Sequence, residues 1–305
     1  MSRWGTGRPT TARLRGELGR AARVVVVQAA PYEANEPEAP RLELTGAGIA
    51  ELAGLLAIVD GGTGDVCRCA GWPTILLYGA DGVRFATWTL HHGTDIRAVG
   101  DCDAQLLGGA ALDDWLAERG LTGPREARAE LAAEEARQER RRRRWLAAAP
   151  PELAAAAAEV ARTPGDEYQA WSERQRHARI GLAGMARWHW PDRAERIRAL
   201  LAWLALGARE EGGGLTWYDL ALQGQLLAEE PESVLAALTA RPCTPAHLDG
   251  AAQLFAAPEW TGARGRGLPE PLRSVLLAHI EAHGTGPMRI RAGRGYYGGG
   301  GGGSA

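Results

Sequence analysis

Two thiols and two imidazoles offer the clearest chemistry in this chain: Cys67-Arg68-Cys69, and farther on His91-His92-Gly93. Thiolate sulfur and imidazole nitrogen are the donors that a tetrahedral zinc site takes, so zinc is the cofactor these residues point to. If 66–69 is extended, both sulfurs project from one face and Arg68 from the other. The spacing differs from the common zinc modules, which place two to four residues between their cysteines. Two histidines in sequence also do not share one face of a continuing strand. Two readings therefore stand side by side. Cys67, Cys69, His91 and His92 are metal ligands, or the cysteines are small buried hydrophobes and the histidines cap a strand end.

Other candidates are thinner. Asp95, Arg97, Asp101 and Asp103 lie close to the histidines in sequence, yet no nucleophile-elbow motif or nearby serine completes a catalytic set. Asp95 and Arg97 read as a surface pair or as turn residues. Arg140 to Arg144 are consecutive arginines, and Arg141, Arg142, Arg143 and Arg144 are the candidate surface for an acidic partner. Consecutive helix residues point all round, however, and Glu134, Glu135 and Glu139 lie beside them. His279 and His283 have helical i, i+4 spacing without the H-E-x-x-H order. All 35 basic residues are arginine, so a Schiff-base or phosphate-loop lysine is excluded.

These residues need elements to position them. Val24–Val27 reads as a buried strand, Arg41–Thr45 as a second, and 49–58 as a helix by its apolar spacing. Thr74–Tyr78 and Val83–Leu90 form a hairpin across Gly79-Ala80-Asp81-Gly82, where Asp-Gly is a strong turn signal. A helix over 103–119 ends at Gly120, a natural C′ residue. This hairpin joins Cys67 and Cys69, before it, to His91 and His92, after it.

Two resemblances follow from those residues. Cys69-Ala-Gly-Trp-Pro73-Thr-Ile-Leu-Leu-Tyr78, an Asp-Gly turn, a second strand and a closing helix resemble the C-terminal half of a thioredoxin-like fold, over about 67–120. The resemblance implies a cis-proline at Pro73. It implies fold without chemistry, because Ala29-Ala30-Pro31-Tyr32 stands where that family has C-x-x-C. The C-x-C, hairpin, His-His-Gly, Ile96-Arg97 and closing Trp115-Leu116 helix are also similar to a domain of uncharacterised bacterial proteins. Those often have tryptophan after the arginine, where this chain has Ala98. That resemblance implies no activity.

Length and charge complete the organisation. The chain has 305 residues, 45% hydrophobic and 24% charged, with formal net charge -2. Those values describe a globular chain of one large or two modest domains, with no global field for nucleic acid or an anionic membrane. Four cysteines exclude a disulfide scaffold, and no apolar run is long enough to span a membrane. The Val24–Val27 run is too short for a signal peptide, so the expected location is cytoplasmic. Residues 1–124 carry 11 Arg against 15 acids and 125–144 carry 8 against 5. Residues 145–286 carry 13 against 17, and 287–305 carry 3 Arg and no acid.

The expected division is a flexible N-terminus 1–20, an α+β domain 21–121 with a small mixed sheet, a basic helical connector 122–149, an all-α bundle or repeat-like stack 150–284, and a disordered glycine-rich tail 285–305. The connector should be exposed, and the tail dispensable. Helices are expected at 151–162, 166–189, 192–206, 216–229, 231–240, 245–257 and 269–283, with Asp192, Thr216 and Thr244 as starts. The leading functional expectation is a non-enzymatic interaction or adaptor protein with a protein partner, nucleic acid being less favoured and a membrane excluded. The alternative is metal binding or thiol redox chemistry at Cys67, Cys69, His91 and His92.

Overall fold

The computed structural model describes residues 7–163, 168–209, 214–264 and 267–298. The chain divides into two compact units, 1–137 and 138–305. No described helix is long and apolar enough to cross a membrane.

The first unit opens with α1 (Thr11–Arg20), capped by Thr10, whose hydroxyl accepts from the Arg13 amide at 3.1 Å. Leu14 and Leu18 lie one turn apart and are fully buried, so 11–20 is a packed helix rather than a flexible leader. β1 (Arg23–Val27) follows, then β2 (Arg41–Leu44), α2 (Ala47–Leu55), β3 (Thr74–Tyr78), β4 (Arg84–His91), β5 (Asp95–Arg97), β6 (Ala104–Gln105) and α3 (Gly109–Glu118). The six strands lie in the order β2-β1-β3-β4-β5-β6. All five pairings are antiparallel. The α+β class stands, but the sheet is not mixed: turns over 28–40, and no crossover helix, join β1 to β2.

The four valines of β1 show why a continuous apolar run is needed there. Strand alternation sends Val24 and Val26 into the main core with Leu14, Leu18, Leu77 and Trp88. It sends Val25 and Val27 into a smaller cluster with Ala34 and Leu76. Both faces are covered, so neither set of side chains can be polar. The β3–β4 turn forms as expected: Gly82 has φ +75° and the Val83 amide donates to Asp81 at 3.0 Å. The helix expected over 103–119 begins only at Gly109, because Ala104 and Gln105 are drawn into the sheet by β5.

α4 (Gly123–Ala147) is one helix that carries the chain out of the first unit and into the second. The second unit then contains α5 (Ala154–Val160), α6 (Tyr168–His189), α7 (Arg193–Ala208), α8 (Asp219–Leu227) and α9 (Pro231–Thr239). α10 (Pro245–Phe255), α11 (Pro258–Arg264), α12 (Leu272–His283) and α13 (Gly286–Gly293) complete it. α7 and α10 meet so closely that a Cβ at Gly250 would lie 2.0 Å from the Leu201 carbonyl oxygen. Only glycine allows that approach. Asp192 and Thr244 cap α7 and α10 as expected. Thr216 does not start α8; its hydroxyl donates to Asp219, the first helical residue, at 2.8 Å.

Two boundaries move. The connector is not wholly exposed, since Trp145 is buried and its backbone carbonyl accepts from Trp203 Nε1 at 2.9 Å. The tail expected to be disordered from 285 forms α13, capped by Thr285. Met288 and Tyr297 are buried, and the Tyr297 hydroxyl donates to the Ala252 carbonyl at 2.9 Å. Composition hid this helix, because a few apolar residues among glycines suffice when a prepared surface receives them. Residues 299–305 lie outside the described range.

Candidate metal centre

The cysteines sit on the long segment between α2 and β3, and the histidines at the end of β4. Two side chains hold this segment. The Arg97 guanidinium from β5 forms a two-pronged pair with Asp103, at 2.9 and 3.1 Å. Its other N–H groups donate to the Cys69 carbonyl at 2.8 Å and to the Cys67 carbonyl. Asp103 in turn accepts from the Cys67 amide at 2.7 Å. One buried ion pair therefore grips the backbone on either side of Arg68 and fixes where both sulfurs point. Arg97 is not the surface partner of Asp95 that sequence spacing implies; its side chain is buried and its carboxylate is Asp103.

The two sulfurs lie 3.1 Å apart. His91 Nδ1 is 2.9 Å from Cys69 Sγ, and His92 Nε2 is 3.5 Å from Cys67 Sγ and 3.4 Å from Cys69 Sγ. The donor atoms of Cys67, Cys69 and His91 all lie within 4.8 Å of one another. This group can hold a metal ion, with the exposed His92 flanking both sulfurs. The strand argument against two neighbouring histidines fails for a local reason. β4 ends at His91, and His92 takes φ +53°, so the chain turns and brings both rings to the sulfurs.

Two further residues complete the setting. His91 Nε2 lies 3.0 Å from the Thr89 hydroxyl. With that N–H donated to Thr89, Nδ1 presents its lone pair to the sulfurs, the arrangement that orients a liganding histidine. Gly71, at φ +73°, lets the ring in; a Cβ there would lie 2.3 Å from His91 Nε2. Neither Thr89 nor Gly71 was legible in advance. The period-2 match of Thr89 to His91 was the only available signal.

The electrostatics suit ligation. The Cys69 amide, followed by His92 and the Cys69 thiol, lowers the Cys67 thiol to about 7. Burial first, then the neighbouring Cys67, raises the Cys69 thiol. Burial first, then the Arg97 charge, lowers His91 to about 4, leaving a neutral imidazole at neutral pH. Burial raises the Asp103 carboxyl, but hydrogen bonds from Arg97 and the Cys67 amide outweigh it and hold the group below its ordinary value. All four cysteines are free thiols.

The other candidates resolve differently. Arg141, expected at an acidic-partner site, donates to Asp219 at 2.6 Å and to the Gly214 carbonyl at 2.8 Å. Arg142 and Arg143 both donate to Glu139 at 2.8 Å and hold its carboxyl down to about 2. With Arg144 exposed on the same helix, Arg141–Arg144 do not form one open basic patch. Helical periodicity disperses them, and acids of the same unit pair with Arg141, Arg142 and Arg143. His279 Nε2 donates to the Asp249 carboxylate at 2.8 Å within the core of the second unit, so it is a packing residue. No family model, no curated protein and no solved structure matches the chain.

Proposed function

We propose that the first unit is a zinc-binding module in which Cys67, Cys69, His91 and His92 enclose the ion, and that the protein works by binding partners rather than by catalysis at this centre. The observation that carries the reading is the convergence of sulfur and imidazole donors. Their separations of 2.9–3.5 Å are close to the edges of about 3.3–3.8 Å that zinc–sulfur and zinc–nitrogen bond lengths give a tetrahedron. His92, whose Nε2 lies 3.5 and 3.4 Å from the two sulfurs, is the fourth ligand of this reading. Thiolates with imidazoles favour zinc over magnesium, calcium or manganese, which take oxygen ligands. Four protein ligands leave no open position for a reacting water, the mark of a structural site.

Elemental analysis of the purified protein tests this. About one zinc per chain is expected, and Cys69→Ser should abolish it, because Cys69 Sγ lies nearest the other three donors. A second reading rests on the short approach of the two sulfurs. Two thiols could give up two protons, and two electrons to an external oxidant, to form a disulfide. Metal-free protein whose Cys67 and Cys69 no longer titrate as thiols would replace the zinc reading with that one.

A further inference from the structure

The second unit carries an unfilled cleft built from two matched helix faces. On α6, Arg179, Ile180, Ala183, Gly184 and Arg187 follow the spacing i, i+1, i+4, i+5, i+8. On α8 and its C-cap, Leu220, Ala221, Gly224, Gln225 and Ala228 repeat that spacing. The cleft between these faces has a volume of about 570 Å³. Buried Arg196 and Leu200 of α7 line it at depth, its walls carry small residues, and a Cβ at Gly184 or Gly224 would meet nothing within 4 Å. Ile180 and Leu220 flank it, 65% and 42% exposed. An α-helix laid between two helices needs such small-residue walls, with apolar edges to grip its own apolar stripe.

Charge says which helix. Arg179, Arg187, Arg193 and Arg196 line the cleft against one acid, Glu229. Arg196 and Arg193 already share Glu229, at 2.9 and 3.4 Å. Arg187 is exposed and makes no ion pair among the described residues. Arg179 also donates to the Trp217 carbonyl at 3.2 Å. A surplus of cations calls for carboxylates. A phosphate backbone would satisfy the cations but would leave Ile180, Leu220 and the small-residue walls without apolar cover.

We propose that this cleft is the docking site for an acidic amphipathic helix of a partner protein. Small or apolar side chains of that helix lie over Gly184 and Gly224, and its carboxylates face the arginines. The proposal rests on the reading of the chain as an interaction protein and is independent of the zinc.

The test uses the full chain and a fluorescent synthetic peptide with leucine at helical a/d positions and glutamate elsewhere. Its glutamine counterpart and a DNA duplex serve as comparisons. The acidic peptide should bind, and about tenfold more weakly once salt screens the arginines. Gly184→Leu, which fills open space without altering charge, and Arg187→Glu should each weaken binding about tenfold or more. Gly184→Leu should not lower the melting temperature, since leucine favours a helix over glycine, and both should leave zinc content unchanged. Binding unaffected by both substitutions would overturn the site. Preference for the glutamine peptide or the DNA, or self-association abolished by Gly184→Leu, would overturn the acidic helix while leaving an interaction protein. Failure of every probe, with no self-association, would sink both.

Discussion

Each unit sets an arginine beside a buried aspartate and a histidine, with opposite consequences. In the second unit Arg209 grips both oxygens of Asp249, at 2.6 and 2.9 Å, and the same carboxylate meets His279 Nε2 at 2.8 Å. The acid therefore serves both side chains and nothing is left over for a ligand. In the first unit Arg97 and Asp103 are equally tightly paired, but their remaining valences go to the backbone of Cys67 and Cys69. The histidine there meets a sulfur and a hydroxyl instead of the acid. The same residue types thus close a core in one place and hold open a set of donors in the other. What differs is whether the ion pair spends itself on the histidine or on the chain that carries the cysteines.

Breaking the closed network should have the larger effect on stability. Asp249→Ala leaves Arg209 and His279 facing each other without their shared carboxylate, and removing one partner of a buried pair costs about 3–5 kcal/mol. A value near the lower end is expected, since Arg209 is 40% exposed. Chemical denaturation measures it, and zinc content should not change. An effect no larger than that of a surface substitution would show that the two networks are not comparable.

Asp103→Asn sharpens the comparison from the other side. It keeps the shape but loses the charge that positions Arg97, so zinc affinity should fall about 10–100-fold, as for other residues supporting a liganding group. Competition with a chromogenic chelator reads this. The acid response should change too. The folded-state pKa of Asp103 is depressed, so its stabilising contribution is present above the unfolded value of about 3.9 and is lost as pH falls through the folded value. Asp103→Asn should remove that part of the acid unfolding below about pH 4 in metal-free protein. An unchanged acid limb would mean that the pair does not support the segment.

The smallest effect belongs to the exposed network on α4. Glu139→Gln removes the acceptor shared by Arg142 and Arg143. Solvated pairs of this kind contribute little, so the melting temperature at neutral pH should stay within error. The Glu139 carboxyl is held down to about 2, so any contribution is present above about pH 4.5 and fades only toward that value. A clear drop at neutral pH would place these arginines alongside Arg141, which is tied to the buried Asp219.

Much of the local structure was legible. The hairpin, the helix starts at Asp192 and Thr244 and most helices of the second unit follow from period, caps and turn residues, all of which act over a few residues. The cysteine and histidine set was legible as a list, because residue type limits what can bind a metal. Arg97, Asp103, Thr89 and Gly71 were not, because their roles depend on strands that meet only after the sheet forms. The α13 tail was missed for a related reason. Met288 and Tyr297 gain their stability from α10 and its neighbours, and composition near the C-terminus carries no trace of that surface.

By itself, the amino-acid sequence determined the hairpin, most helices of the second unit and which donor atoms exist, because backbone preference and ligand chemistry are properties of short segments and single side chains. Tertiary structure alone decided that His92 turns back at φ +53°, and that one ion pair holds both cysteine carbonyls. It also decided that Arg141 spends its charge on Asp219 while Arg187 makes no ion pair among the described residues. Those outcomes depend on distances between residues far apart in the chain. Such distances are set by how the two cores pack, and a local pattern cannot encode them.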